Sequence, residues 1–466
     1  MPARWLLLVL AIALACAPLP GAAPPVSTSA ARRAAALQVA WPAAGDAAWR
    51  IEDDPDRPLI ASVYSFPSPL IAGGEARALL AAVRAADARR ELLALVDLSM
   101  AQVLAPVAGP LRLRLLTARG GPYSPWPRDP FSFARARGGA VRIIVRPNLQ
   151  RGREADAELG PELVQDLPAD LDSAWGGVRW ARAEVPFHNG QVLLTRQAAW
   201  VTLHTCEPRA LALRGLARVP VETFGGAAGV DAYVAAVRRA ADELTALYGR
   251  PVRFVHPLPD GGALMGEAAR TELMRRLGGG AGYDLDSLVT LLPGRDGQGA
   301  ALVADVALGE RLLAQAPAAE WAAFAAGYGL SSAGGLTPAL LAHARGEPSR
   351  ELASFLDLVA AHLAAQGLAV GRLPLLLVPL DLLRDSQGLA SGQFLIGWNN
   401  VVVETRGGTT RAEGFGSRLA SGDRLAGEAF AAHGAHLELL PPLVGSVVRN
   451  GGYRCASNHL RAGAVR

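Results

Sequence analysis

Gly451-Gly452-Tyr453-Arg454-Cys455 stands close to the C-terminus, and its reading decides the fold. Two glycines give backbone freedom just ahead of a cysteine, so the thiol sits on a chain that other atoms can approach closely. A lone cysteine in such a place is ordinarily a small buried hydrophobe. Scarcity adds weight here, because the chain holds only three cysteines, Cys16, Cys206 and Cys455.

Further back, Asn399-Asn400 opens an apolar strand over 401–404. Gly282-Tyr283-Asp284-Leu285-Asp286 leads into a strand expected over 287–292. Period-two spacing sets its two carboxylates on one side of that strand. Paired carboxylates bind a cation, a metal or a guanidinium, although a solvated strand start looks the same. Pro186-Phe187-His188-Asn189-Gly190-Gln191-Val192-Leu193 reads as a turn feeding a strand, with His188 at its head. Trp126-Pro127-Arg128-Asp129-Pro130-Phe131 sets an Arg-Asp pair between prolines, a rigid loop that presents a carboxylate. A structural turn with a local ion pair shares that appearance.

Around these stretches, short apolar runs alternate with Ala- and Leu-rich amphipathic ones. The spacing predicts strands over 111–117, 141–145, 191–195, 200–204, 252–255, 287–292, 300–306, 373–379, 394–396 and 400–404. It predicts helices over 74–96, 229–248, 309–326, 337–344, 351–366 and 421–433. Strands and helices alternate to the end, which argues one large α/β body over 58–466.

Of the 466 residues, 51% are hydrophobic, enough for a sizeable core and too many for a disordered chain. Net charge is +4, there is no lysine, and the arginines are spread along the chain. Nucleic-acid binding therefore has no footprint. Arg4 precedes an apolar run over 6–15, too short to span a bilayer at about 1.5 Å per residue. Residues 1–23 read as an export signal, and the Pro- and Ala-rich stretch 24–57 as a tether and leading segment. Ala13-Leu14-Ala15-Cys16 resembles a lipobox that makes Cys16 a lipid anchor, while Gly21-Ala22-Ala23 offers ordinary cleavage. The expected location is outside the cytoplasm, lipid-anchored or secreted. In an oxidising compartment Cys206 and Cys455 either pair structurally or leave Cys455 reactive.

The order Trp-x-Arg-Asp, a strand turn, x-x-Asp before a strand, Asn before a strand, then Gly-Gly-x-x-Cys resembles the guanidino-group-modifying (pentein) superfamily. Arginine, agmatine and peptidylarginine deiminases and amidinotransferases belong to it. The resemblance spans roughly residues 110–461. It implies a β/α propeller of about five diverged αβ modules in a single large domain, without cofactor or metal. It also implies a hydrolase for a guanidino small molecule or a protein arginine. In that chemistry carboxylates bind the planar guanidinium through charge-assisted hydrogen bonds. A cysteine thiolate attacks its central carbon and forms an amidino-thioether. A histidine protonates the departing ammonia and then activates water. Carried over by residue, Cys455 falls on the nucleophile, and Asp129 and Asp286 on the guanidinium-binding aspartates. Arg128, Trp126 and Asn399 or Asn400 fall beside them.

Two positions depart from the family pattern. Its His-x-Asp reads Asp284-Leu285-Asp286, and its Glu-Gly-Gly-Asn turn reads His188-Asn189-Gly190-Gln191. Asp284 removes the usual proton donor and raises the thiol by like-charge repulsion. One rescue is an exchange of roles, in which His188 acts as acid or base from the opposite wall. The competing readings are a catalytically inactive pentein serving as a binding or surface protein, and a metal site at Asp284 and Asp286 with His188 nearby. His204 and Cys206 are expected as a core pair on a strand, and His433 and His436 as the close of a helix. His459 is expected near the site rim, a second candidate acid.

Overall fold

Five small mixed sheets carry the fold, and one plan recurs in each. The computed structural model describes residues 49–108, 112–117, 123–136, 139–147, 153, 155–216, 227–258, 284–293, 299–331, 336–383 and 392–462. All lie in the compact unit Val39–Arg466. The expected export signal, Cys16, most of the tether and the pair Gly282-Tyr283 lie outside the described residues.

In each sheet two strands pair antiparallel, and a third runs parallel to the second. The antiparallel pairs are Ser457–Arg461 with Leu59–Phe66, Phe131–Ala136 with Val141–Val145, Val192–Leu194 with Ala199–Val201, Ala300–Asp305 with Val289–Leu292, and Val402–Arg406 with Thr409–Phe415. A parallel neighbour needs a crossover. Helices supply it: Gly73–Ala86, Asp156–Gln165, Ala227–Tyr248, Glu347–Ala365 and Ala420–Ala432 each lie on one such path. Their apolar faces pack on the sheets, as Leu79, Leu80 and Val83 do from Gly73–Ala86. Each fully buried side chain of this kind contributes about 1.5–3 kcal/mol. In one sheet the strand Ser457–Arg461 lies at the edge and pairs with Leu59–Phe66, which places Cys455 just ahead of that edge strand.

Several boundaries differ from expectation for identifiable reasons. The predicted helix 74–96 ends at Ala86, and Glu91–Val96 is a strand. From Leu92 to Val96 that strand is apolar and buried, as expected of a strand with parallel neighbours on either side, whose sheet has both faces covered. The predicted helix 309–326 is two helices, Val306–Gln315 and Ala318–Tyr328, parted at Pro317. The strand expected over 200–204 stops at Val201, and His204 and Cys206 lie on the helix Leu203–Leu213. His433 does cap its helix, but His436 belongs to the strand Ala435–Leu440. Residues 49–57 belong to the folded body rather than to a tether. Trp49–Ile51 is a strand, and Asp53 and Asp54 are buried.

Candidate active site

Each stretch singled out in the sequence precedes the leading strand of a different sheet. Asp129 precedes Phe131–Ala136, His188 precedes Val192–Leu194, and Asp284 and Asp286 precede Val289–Leu292. Asn399 and Asn400 precede Val402–Arg406, and Cys455 precedes Ser457–Arg461. A strand-entry loop of this kind thus occurs once per sheet.

Cross-links between these loops draw them together. Asn400 Nδ2 lies 3.1 Å from Cys455 Sγ and 2.9 Å from Asp286 Oδ1, while its Oδ1 accepts from the Cys455 N–H at 3.1 Å. Asn189 and Asn458 both donate to the carbonyl of Phe131. The glycine pair serves close approach. A Cβ on Gly452 would lie 2.4 Å from Asn400 Cβ, and one on Gly451 would lie 1.9 Å from Trp126 Nε1. Asn400 also lines a cavity of about 480 Å³ bounded by Ser287, Tyr328, Phe415 and Gly452, whereas Cys455, Asp286 and Asp129 do not line it.

Asp286 and Cys455 are buried, with Sγ 3.8 Å from Asp286 Oδ1. Ligand-type atoms of Asp284, Asp286 and Cys455 lie within 4.8 Å of one another, as do those of Asp129, His188 and Asp284. Both groups are compact enough to share one cation. The carboxylates do not meet through strand periodicity. Leu285–Ser287 is a 3-10 turn, and Asp284 caps it.

The charges explain the protonation states. Burial pushes both Asp284 and Asp286 up to about 7; Asp129 adds to the first and Asp284 to the second. Burial would raise Asp129 too, but Arg153 and His188 override it and hold the carboxyl below its ordinary value. Burial drives His188 down to about 4, against the pull of Asp129, so its imidazole is neutral at physiological pH. Burial, then Asp286 and Asp284, push the Cys455 thiol well above its ordinary value.

Arg128 donates to Asp53 at 2.5 Å. Asp53 also accepts from Arg454 at 2.7 Å and Arg461 at 2.9 Å, so one buried carboxylate anchors three arginines beneath the site. Arg454 bridges to Asp286 Oδ2 at 3.1 Å. Arg153 holds Asp129 Oδ2 at 2.7 Å and faces the Trp126 ring, while Asp129 Oδ1 has no hydrogen-bond partner among the described residues. His188 Nδ1 lies 3.8 Å from Asp284 Oδ1 and makes no hydrogen bond among the described residues. His459 is not at a rim. It is buried, with Ser62 at 2.8 Å from one ring nitrogen and Ser457 at 2.7 Å from the other, which leaves no nitrogen for acid work. Cys206 and Cys455 are both free thiols.

Asp53, Arg153 and Gln191 were not legible as site residues. Asp53 sits in Glu52-Asp53-Asp54, an acidic run that the Pro-rich surroundings disguise as a tether.

No protein-family model matches the chain, and no curated protein matches it. Solved structures do. A candidate agmatine deiminase matches at 10% identity with a TM-score of 0.53, over 92% of this chain and 99% of its own. Agmatine deiminase of Enterococcus faecalis matches at 11% identity with a TM-score of 0.51, over 90% of this chain and 97% of its own. A candidate peptidyl-arginine deiminase matches at 10% identity with a TM-score of 0.50, over 89% and 99%. The chain has the mixed α/β fold of these solved structures, as its motif order led us to expect.

Proposed function

We propose that the chain is a deiminase-type hydrolase that converts a guanidino group to a ureido group and ammonia. Agmatine, arginine and peptidyl-arginine are its substrate class. One observation carries the reading. Cys455 and Asp286, both buried, lie in one group with the partly buried Asp284, and Asp284 is shared with Asp129 and His188. In this reading the five sheets are five modules of a propeller, and their strand-entry loops form a common site. The guanidinium lies between Asp286 and the open Oδ1 of Asp129, which match its fork of donors. Cys455 is the nucleophile. Neutral His188 takes the proton from the attacking water. Arg128 and Arg454 hold Asp53 and Asp286 in place. Export of the chain, by cleavage or by a lipid on Cys16, belongs to the same proposal, and cell fractionation tests it.

An inactive pentein that binds a guanidino group without turnover is the second reading, favoured by one observation: four carboxyl-type and thiol groups crowd one site without the family's histidine at 284. The test is ammonia release from agmatine, arginine and arginine peptides, with Cys455→Ala beside the natural chain. Release that depends on Cys455 supports the enzyme. Binding of the same compounds without release supports the second reading, and release undiminished in Cys455→Ala refutes the covalent mechanism.

A further inference from the structure

We infer that Asp284 carries the proton through this reaction, taking it from the Cys455 thiol and passing it to the departing ammonia. The inference rests on the reading just proposed. It concerns the place where the resemblance led us to expect histidine.

Position comes first. Asp284 is the one residue common to both groups of facing side chains, so its carboxyl lies within 4.8 Å of ligand-type atoms on Cys455, Asp286, Asp129 and His188. The two guanidinium-binding carboxylates are held by fixed cations, Asp286 by Arg454 and Asp129 by Arg153. Asp284 differs. Among the described residues no guanidinium bonds to it, and its hydrogen-bond donor is the neutral amide of Gln191, at 2.9 Å from Oδ1. Arg153 holds Asp129 below its ordinary value and so resists its protonation. Asp286 also rises to about 7, but its oxygens are taken up by Arg454 and Asn400, whereas Asp284 is held by a neutral amide.

The loop at 188–191 is shaped to seat this carboxyl. A Cβ on Gly190 would lie 2.3 Å from Asp284 Oδ2, so the carboxyl rests against a bare Cα. Gln191 is oriented in turn by Thr202, whose hydroxyl donates to its Oε1 at 3.1 Å, and by Thr205, which donates to its carbonyl at 2.9 Å. The charged neighbours of Asp284 are Asp129 and Asp286, which favour its neutral form, and Arg146 and Arg153, which oppose it. Burial comes before all of these and brings the group to about 7. His188, already neutral, does not compete as the acid.

The proton count closes. The Cys455 thiol gives its proton to the Asp284 carboxylate, and the thiolate adds to the guanidinium carbon, forming the C–S bond. Asp284 returns that proton to one amino nitrogen. The C–N bond breaks with its electron pair on nitrogen, and ammonia leaves a cationic amidino-thioether. Water gives a proton to His188, and its hydroxide adds to the same carbon. The C–S bond then breaks with its pair on sulfur, which recovers the hydroxyl proton as the ureido product forms. His188 passes its proton to ammonia, which departs as ammonium.

The test compares Asp284→Asn and Asp284→His with the natural chain in ammonia release across pH and in alkylation of Cys455 by iodoacetamide. Release by the natural chain should fall below about pH 7, where Asp284 is already protonated and cannot take the thiol proton. Asp284→Asn should lose about 10²–10⁴-fold in release while Cys455 is alkylated at least as fast as before. Asp284→His, which restores the family pattern, should recover most of that loss, and a purely structural role for Asp284 would not produce that recovery. Release by Asp284→Asn within about 3-fold of the natural chain overturns the inference alone. No release by the natural chain from any of the compounds overturns the proposed function, and this inference with it.

Discussion

Replacing Asp284 by asparagine should stabilise the fold increasingly as pH rises. Burial raises this carboxyl from its ordinary 3.8 to about 7. The folded state therefore holds the proton more tightly than the unfolded chain does. Below about pH 4 both states are protonated and the group costs nothing. Between about pH 4 and pH 7 unfolding releases a proton, so stability is lost as pH rises. Above the folded value the loss is complete, about 4 kcal/mol at about 1.4 kcal/mol per unit. Asparagine keeps the shape and an acceptor for Gln191 Nε2, and it never ionises. Chemical denaturation at about pH 5 and about pH 8.5 should show the variant's advantage growing by about 2–3 kcal/mol, and by less if Asp286, which titrates with Asp284, shares the relief. An advantage that is equal at the two pH values, or that shrinks, would refute a carboxyl raised by loss of solvent.

Gly452→Ala should cost about 1–3 kcal/mol in denaturation, because its Cβ would meet Asn400 Cβ at 2.4 Å, and it should loosen the amide that holds Cys455. Arg153→Ala should cost about 3–5 kcal/mol at neutral pH by removing the cation that pairs the buried Asp129 and Asp156, with the loss shrinking in acid as Asp129 protonates. Asp286→Asn should speed alkylation of Cys455 by iodoacetamide at fixed pH, since after burial Asp286 does most to raise the thiol. An unchanged rate there would mean that access, not charge, governs the sulfur.

Local composition revealed much of the fold. The runs at 141–145 and 300–306 are apolar and bounded by breakers, and both are strands in place. Sequence periodicity failed where two elements share one texture. Ala-rich helix passes into Leu-rich strand between Ala86 and Glu91 with only Asp87 to mark the change. The site was legible where chemistry is scarce: Cys455, and the aspartates beside prolines or strand starts. It was not legible where a residue acts through long-range pairing. Asp53 meets Arg454 and Arg461 some 400 positions away in the chain (401 and 408), which no local pattern encodes. Gln191 is an ordinary loop residue until the fold brings Asp284 against it. The glycine pair was read as backbone freedom, while the structure gives it a steric reason, room for Asn400 and Trp126.

If Cys455 is the nucleophile, it should carry a covalent intermediate during turnover. Denaturing mass spectrometry of the chain, quenched during turnover of agmatine or arginine, tests it directly. The account predicts an amidino adduct on the peptide that carries Cys455, absent from Cys455→Ala. Ammonia release with Cys455 unmodified throughout, or an adduct on a different residue, would contradict it.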